Sequence, residues 1–205
     1  ELEIQSGSSV SITGKSTSSG NGLVVKKGLT VAGTLGISAY STALSIAGST
    51  SETASVNIAS TGTLTLAAGT NGLLNSTPVN FTNEGKLTIT GAKYGMNMGE
   101  TNSLKFCGTS ETTITSATNC IRGQYDDYIG DRYGTDTRKD PKIRICDSAK
   151  FNATATSGAG ILLFLQFIVE NENGTQCDAE VNVTCGGTGS AVYGLRTAED
   201  SSSGA

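Results

Sequence analysis

The sequence contains no histidine and no tryptophan, and it has only two prolines. Without histidine, the chain lacks the usual base for a catalytic serine or cysteine and a common zinc ligand. Six tyrosines and five phenylalanines are a small aromatic supply for 205 residues, which argues against a thick globular core. The most apolar run, residues 161–169, is too short to cross a bilayer, so no membrane span is expected.

Charge is also scarce. The net charge is −4, and residues 1–90 carry few ionisable groups, whereas residues 122–142 hold many of both signs. This distribution gives no electrostatic reason for nucleic acid or an anionic membrane to bind. A weakly charged first half is better tolerated when glycans or neighbouring subunits cover it. The chain begins with Glu1 rather than Met, so we expect a secreted, extracellular or cell-surface protein whose signal peptide has been removed.

Glycine, serine and threonine are abundant, and they punctuate a short repeating pattern. Residues 79–98, V-N-F-T-N-E-G-K-L-T-I-T-G-A-K-Y-G-M-N-M, predict two alternating strands around Val79 and Leu87. A turn and a third apolar position at Met96 are expected to follow. Strands this short cannot bury a core alone, so each set needs copies of itself above and below.

The pattern recurs in seven coils. Their first strands are predicted at Leu2, Leu29, Val56, Val79, Leu104, Ile143 and Val181. Their second-strand positions, eight residues later in six of the seven coils, are Val10, Leu35, Leu64, Leu87, Thr112, Phe151 and Gly189. Their third apolar positions are Leu23, Leu44, Leu73, Met96, Ile121, Ile161 and Leu195. A Gly, Ser or Ala commonly separates the first two strands, where a corner needs a small residue.

We predict that residues 1–205 form a single all-β domain, a parallel β-solenoid of about seven short coils. Right-handed winding is expected because parallel crossovers are nearly always right-handed, which would make the fold a right-handed β-helix. The alternative is an antiparallel β-sandwich, which also contains short alternating strands. The fixed offset argues against it, since hairpin loops need not repeat. Two insertions, at about residues 122–142 and 164–180, are predicted to leave near the third strand and to project from one side.

The five cysteines all lie in the second half of the chain. Cys107 and Cys146 occupy the same register, and stacked coils lie close enough for a disulfide between them. Cys120, Cys177 and Cys185 remain, and three cysteines cannot all pair with one another. Two structural disulfides with one buried thiol, or a disulfide between subunits, are the two alternatives.

Five N-x-S/T sequons predict N-linked glycans, at Asn75, Asn80, Asn152, Asn173 and Asn182. The pattern places Asn80 and Asn182 in one outward position beside an inward valine, and Asn152 outside Phe151. A solenoid can present sugars at such positions without disturbing its core. At least two sequons are expected to be occupied.

Catalysis is not expected. Some right-handed β-helices are pectate lyases or polygalacturonases, so a polysaccharide lyase or hydrolase is an alternative function. The one acidic cluster, within residues 126–136, does not have the spacing of a calcium loop, and its balance with Arg and Lys favours a salt-bridged surface loop. We therefore predict no enzyme, no metal site and no cofactor.

Aromatic residues of the two insertions are the candidate interface residues, namely Tyr125, Tyr128, Tyr133, Phe164 and Phe167. A cell-surface adhesin or glycan-binding module would use the tyrosines as stacking platforms. The competing interpretation is that they pack the insertion against the coil.

The coil sequences V-N-I-A-S-T-G-T-L-T-L and V-N-F-T-N-E-G-K-L-T-I-T-G resemble those of extracellular microbial β-solenoid proteins, including adhesin passenger domains and surface-layer repeats. The glycine- and threonine-rich, cysteine-containing chain is also similar to the tube-forming sheath proteins of methanogenic archaea. That resemblance implies an amyloid-like, resistant and partly disulfide-linked assembly. Neither end shows an amphipathic cap, and uncovered β-edges invite strands from another copy. The expected function is a self-assembling structural subunit of an extracellular filament, sheath or surface layer.

Overall fold

A computed structural model describes residues 1–14, 19–48, 52–99, 103–123, 142–163, 166–187 and 194–197. These ranges contain nineteen β-strands and no helix. Every strand pair is parallel, and successive strands on one face come from successive coils. The fold is therefore the predicted parallel β-solenoid and not a β-sandwich.

The first face is a seven-stranded sheet. Its strands, in spatial order, are β1 (Leu2–Ile4), β4 (Gly28–Val31), β7 (Ala54–Ile58), β10 (Val79–Asn83), β12 (Ser103–Phe106), β14 (Lys142–Ile145) and β17 (Gln166–Val169). The inner strands each have a neighbour on both sides, whereas β1 and β17 each have one among the described strands.

The second and third faces are joined into one twelve-stranded sheet. The second face contains β2 (Ser9–Thr13), β5 (Thr34–Ala39), β8 (Thr63–Ala68), β15 (Lys150–Ala155) and β18 (Glu180–Cys185). The third face contains β3 (Asn21–Val25), β6 (Thr42–Ile46), β9 (Asn71–Asn75), β16 (Ile161–Leu163) and β19 (Leu195–Thr197). Two long strands, β11 (Lys86–Met98) and β13 (Glu111–Gly123), run through both faces and connect them.

Continuous β11 corrects the prediction of a turn before Met96. The strand bends rather than ends, with register irregularities against β13 on both sides of Ala92. Gly91 has a φ of 74°, a conformation that favours glycine and changes the direction of the strand without breaking it.

The core is a set of inward rows that run along the solenoid. All seven predicted third-face positions form one continuous row, from Leu23 to Leu195. Six of the seven second-face predictions are also correct, from Val10 to Phe151. On the inner coils these positions are fully buried, which explains how such short strands form a stable core.

Two first-face predictions are wrong. Phe81, rather than Val79, stands opposite Val56, and this shift of two residues keeps the same side chains inward. Val181 does not begin a coil, because it lies opposite Phe151 on the second face, in the position assigned to Gly189. The first strand of the last coil is β17, where Phe167 lies opposite Ile143.

The second predicted insertion is correspondingly wrong in its bounds and position. Residues 166–169 form β17, and Glu180 begins β18, so the connector that remains is residues 170–179. This connector lies between the first and second faces, not beside the third strand. Of the first predicted insertion, Arg122 and Gly123 belong to β13 and Lys142 to β14, and residues 124–141 lie outside the described residues.

The part of the chain that the structure describes has no helix long and apolar enough to span a membrane.

Candidate functional sites

The two terminal coils expose rows that the inner coils bury. Val10 in β2 keeps 38% of its surface exposed, whereas Leu35, its partner in β5, is 0% exposed. Leu195 in β19 is 43% exposed, whereas its partner Ile161 is 0% exposed. Among the described residues, β1 pairs only with β4 and β17 only with β14. Each end of the described stack therefore presents unpaired strand edges beside a half-exposed apolar row.

The backbone at the first open edge is directed outward at alternate residues. The Ser8 carbonyl accepts a hydrogen bond from the second coil at 2.8 Å. The Gly14 N–H donates a hydrogen bond to the second coil at 2.7 Å. In a strand, alternate residues direct their backbone groups to the same side. The N–H and C=O groups of Ser9, Ser11 and Thr13 consequently face away from the rest of the solenoid.

A row of outward side chains along the second face ends in four residues of alternating charge. Its members, opposite one another from the first coil to the last, are Ser9, Thr34, Thr63, Lys86, Glu111, Lys150 and Glu180. The Lys86 ammonium lies 3.5 Å from the Glu111 carboxylate. Because opposite charges on neighbouring strands are favourable and like charges are not, this row favours the observed register. The repeat pattern of apolar residues alone does not reveal this row.

Cys107 and Cys146 form the predicted disulfide, with their Cα atoms 4.8 Å apart. It lies at the corner between the first and second faces. Asp147, at a φ of 57°, accepts a hydrogen bond from the Gly108 N–H at 2.8 Å. The Asp147 N–H donates to the side-chain oxygen of Asn171 at 3.0 Å. These bonds attach the 170–179 connector to the disulfide corner.

An open depression of about 410 Å³ lies over this corner, and Cys107, Cys146 and Asp147 form part of its lining. The Lys105 ammonium pairs with Glu172 at its rim. Hydrogen bonding to Lys105, together with its positive charge, lowers the pKa of the Glu172 carboxyl below the usual value.

Two sulfurs and a carboxylate at this corner lie close enough to suggest a metal site. Ligand atoms of Cys107, Cys146 and Asp147 are all within 4.8 Å of one another. The sulfurs are joined in a disulfide, however, and metals bind the thiolate form. The carboxylate of Asp147 is the one anionic ligand that remains in this cluster. The oxidised corner is therefore a structural crosslink rather than a metal centre.

The other three cysteines have no disulfide partner within the chain. Cys120 is fully buried, and burial raises the pKa of its thiol. Cys177 is half-buried, with its sulfur 3.8 Å from the Ile145 carbonyl oxygen. Cys185 is also half-buried, and it lies on β18 in the last coil, opposite Ala155. One of the two alternatives, a second internal disulfide, is therefore not formed among the described residues.

The sequon at Asn75 is not accessible, which corrects its prediction as a glycan site. Asn75 is 0% exposed. Its amide nitrogen donates to the Thr77 carbonyl at 2.9 Å, and its side-chain oxygen accepts from the Gly99 N–H at 2.8 Å. A glycan on this nitrogen would have to occupy the interior of the solenoid.

The four other sequon asparagines are exposed. Asn80 lies on β10 of the first face, whereas Asn182 lies on the second face directly opposite Asn152. The predicted equivalence of Asn80 and Asn182 is therefore wrong. The Asn182 amide nitrogen donates to the Asn152 side-chain oxygen at 3.0 Å. Asn173 lies in the exposed 170–179 connector, apart from any strand.

Four of the five predicted aromatic interface residues lie in parts of the chain that the structure does not describe. Tyr125, Tyr128, Tyr133 and Phe164 lie outside the described residues, as does the acidic cluster at 126–136. Phe167 is half-buried and packs against the core from β17, so it belongs to the inward row of the last coil.

No protein-family model matches the chain, and neither the curated proteins nor the solved structures give a significant match.

Proposed function

We propose that this chain is a structural protein whose copies stack head to tail to form an extracellular filament, sheath or surface layer. The observation that carries the proposal is the pair of open edges at the two ends of the described stack. Each end combines unpaired strand edges with inward rows that remain half-exposed. A second copy of the chain is the occupant that fits both ends, because each end is itself one coil of the repeat.

The register of such a junction follows from the rows. If the solenoid continued into a second copy, Val10 of that copy would cover Val181, and Leu23 would cover Leu195. In this register, Val10 and Leu23 of the second copy each occupy the next position after the last member of their row. All pairs of described strands are parallel, and this arrangement keeps the strands parallel across the junction. Burial of the exposed apolar surface and pairing of the free backbone groups would both stabilise it.

Cysteine placement limits how such an assembly can be crosslinked. Residues 1–106 contain no cysteine, so the first coil offers no partner to Cys177 or Cys185 on the last coil. Head-to-tail junctions would therefore be non-covalent, and reductant alone would not separate them. Disulfides between subunits would instead join the last coils of copies in neighbouring stacks. The Cys107–Cys146 bond supports an oxidising, extracellular setting.

Ser11→Pro tests the junction. The Ser11 N–H faces the open edge, and proline at an edge strand removes that donor without removing a bond inside the chain. We expect Ser11→Pro to fold normally but to remain monomeric, whereas the wild-type chain forms fibres. Size-exclusion chromatography and negative-stain electron microscopy give the two readouts, and circular dichroism reports the fold.

Ser11→Ala is the matched control, because it removes the hydroxyl but keeps the N–H, and it should assemble as the wild type does. Fibres of undiminished length from Ser11→Pro would argue against this edge as the junction. A wild-type chain that stays monomeric at high concentration, with and without reductant, would overturn the proposed function.

A further inference from the structure

We propose that Asn173 is the N-glycan acceptor of the folded chain, and that the other described sequons are closed to modification once the chain has folded. The five sequons have the same motif but very different surroundings. The sequons differ in whether the backbone around the asparagine and its amide nitrogen are free to enter the active site of a transferase.

Three sequons are held in the sheet. Asn80 lies on β10, which is paired on one side with β7 and on the other with β12. Asn152 lies on β15, which is likewise enclosed between two strands. Asn182 pairs with β15 on one side, and its amide nitrogen is already a hydrogen-bond donor to Asn152. A transferase must draw the sequon into its own site, so each of these would first have to leave its ladder.

Asn152 and Asn182 also exclude one another. They are direct partners on neighbouring strands, which lie about 4.8 Å apart. Two oligosaccharides cannot both leave the sheet from points this close, because a sugar ring with its hydration is wider than that spacing.

Asn173 satisfies the requirements that the strand sequons do not. It is exposed and lies in a turn of the 170–179 connector, next to Gly174 at a φ of 77°. Its side-chain oxygen accepts two hydrogen bonds from Thr175, from the N–H at 3.1 Å and from the hydroxyl at 2.6 Å. The sequon hydroxyl is thus already bound to the acceptor amide. The amide nitrogen makes no hydrogen bond to any described residue, and it is the atom to be modified.

The reaction is a group transfer from a lipid-pyrophosphate-linked oligosaccharide. The Asn173 amide nitrogen forms a bond to C1 of the first sugar. The bond between C1 and the pyrophosphate oxygen breaks, and the lipid pyrophosphate leaves with the electron pair. The amide nitrogen loses one proton to a base of the transferase. Because Asn173 also lines the depression over Cys107 and Cys146, the attached glycan would cover the disulfide.

The test compares folded and denatured chain. Both are incubated with a lipid-linked oligosaccharide and a single-subunit oligosaccharyltransferase that modifies the denatured chain at several sequons. Peptide mapping by mass spectrometry then gives the occupancy of each asparagine. We expect the folded chain to carry a glycan at Asn173 and at no other described sequon, and the denatured chain to be modified more widely.

Three variants sharpen the result. Asn173→Gln and Thr175→Ala should each abolish the glycan on the folded chain, whereas Thr175→Ser keeps the hydroxyl and should retain it. A folded chain modified at Asn80, Asn152 or Asn182 but not at Asn173 would overturn the proposal. So would a folded chain that accepts no glycan while the denatured chain does.

Discussion

Small residues at the first corner determine how closely successive coils can stack. A Cβ atom added to Gly62 would lie 2.0 Å from the carbonyl oxygen of Val31 and 3.0 Å from that of Ala59. Both are backbone atoms, so they cannot move aside without separating the coils. Gly36, on the outward side of β5, has nothing within 4 Å of the same position.

Gly62→Ala is therefore expected to lower the free energy of unfolding by about 1–3 kcal/mol, the usual cost of overpacking. Gly36→Ala, the matched control, should change it by less than about 0.5 kcal/mol. Both are measured by chemical denaturation on the non-assembling Ser11→Pro background, so that association does not contribute. Similar losses from the two substitutions would contradict the packing argument.

Burial of the Cys120 side chain determines how readily its thiol reacts. It also determines how ionisation of this thiol makes the stability of the fold depend on pH. Desolvation holds its pKa above the ordinary 9.0, and its sulfur lies 3.4 Å from the Ile114 carbonyl oxygen. As the pH rises, the thiol of the unfolded chain ionises first. The contribution of the neutral, buried thiol to the free energy of unfolding is thus fully present below the pKa that this thiol has in the unfolded chain. It is lost as the pH rises through the pKa of the thiol in the folded chain.

At mildly alkaline pH, iodoacetamide should modify Cys177 and Cys185 of the Ser11→Pro monomer and leave Cys120 unmodified, because the reactive species is the exposed thiolate. Unfolding in denaturant should make all three react. Mass spectrometry of the labelled peptides gives the result. Labelling of native Cys120 as fast as Cys185 would show that the interior around it opens readily.

Among the elements, the third-face positions are the easiest to predict. Each follows a small residue, and in four of the seven coils it lies nine residues after the second-face position. All seven are correct, from Leu23 to Leu195. The first-face positions are harder to predict from the sequence, because Val79 and Phe81 are both compatible with a period of two. Only the neighbouring strand selects Phe81 as the partner of Val56.

The last coil shows what periodicity cannot resolve. Only two residues separate β16 from β17 in the sequence, so the two strands read as one apolar run and indicate an insertion. Burial of Asn75 is equally invisible, because the sequon motif carries no information on which way the side chain points. The cysteine pair was predictable because Cys107 and Cys146 follow equivalent inward residues of neighbouring first-face strands.

For the whole molecule, the charge row offers a test of the junction register that is independent of strand pairing. Within the chain the row ends with Lys86, Glu111, Lys150 and Glu180, alternating in sign. In a head-to-tail stack, Val10 of the next copy follows Val181, so Ser9 of that copy lies opposite Glu180. The junction thus places a neutral residue, Ser9, beside the charged end of the row, and the charge at Ser9 can be changed without altering the rest of the chain.

Ser9→Lys should extend the alternation and strengthen assembly, whereas Ser9→Glu should place two carboxylates opposite each other and weaken it. Each effect is expected to be about 0.2–1 kcal/mol, as for other exposed pairs. This corresponds to a change of up to about fivefold in the critical concentration measured by sedimentation. High salt should reduce the difference between the variants. Glu180→Gln added to Ser9→Glu should remove the repulsion at the junction and restore assembly, without placing a like charge opposite Lys150. If copies instead joined through two last coils, Ser9 would lie far from the junction, and neither substitution would change the critical concentration.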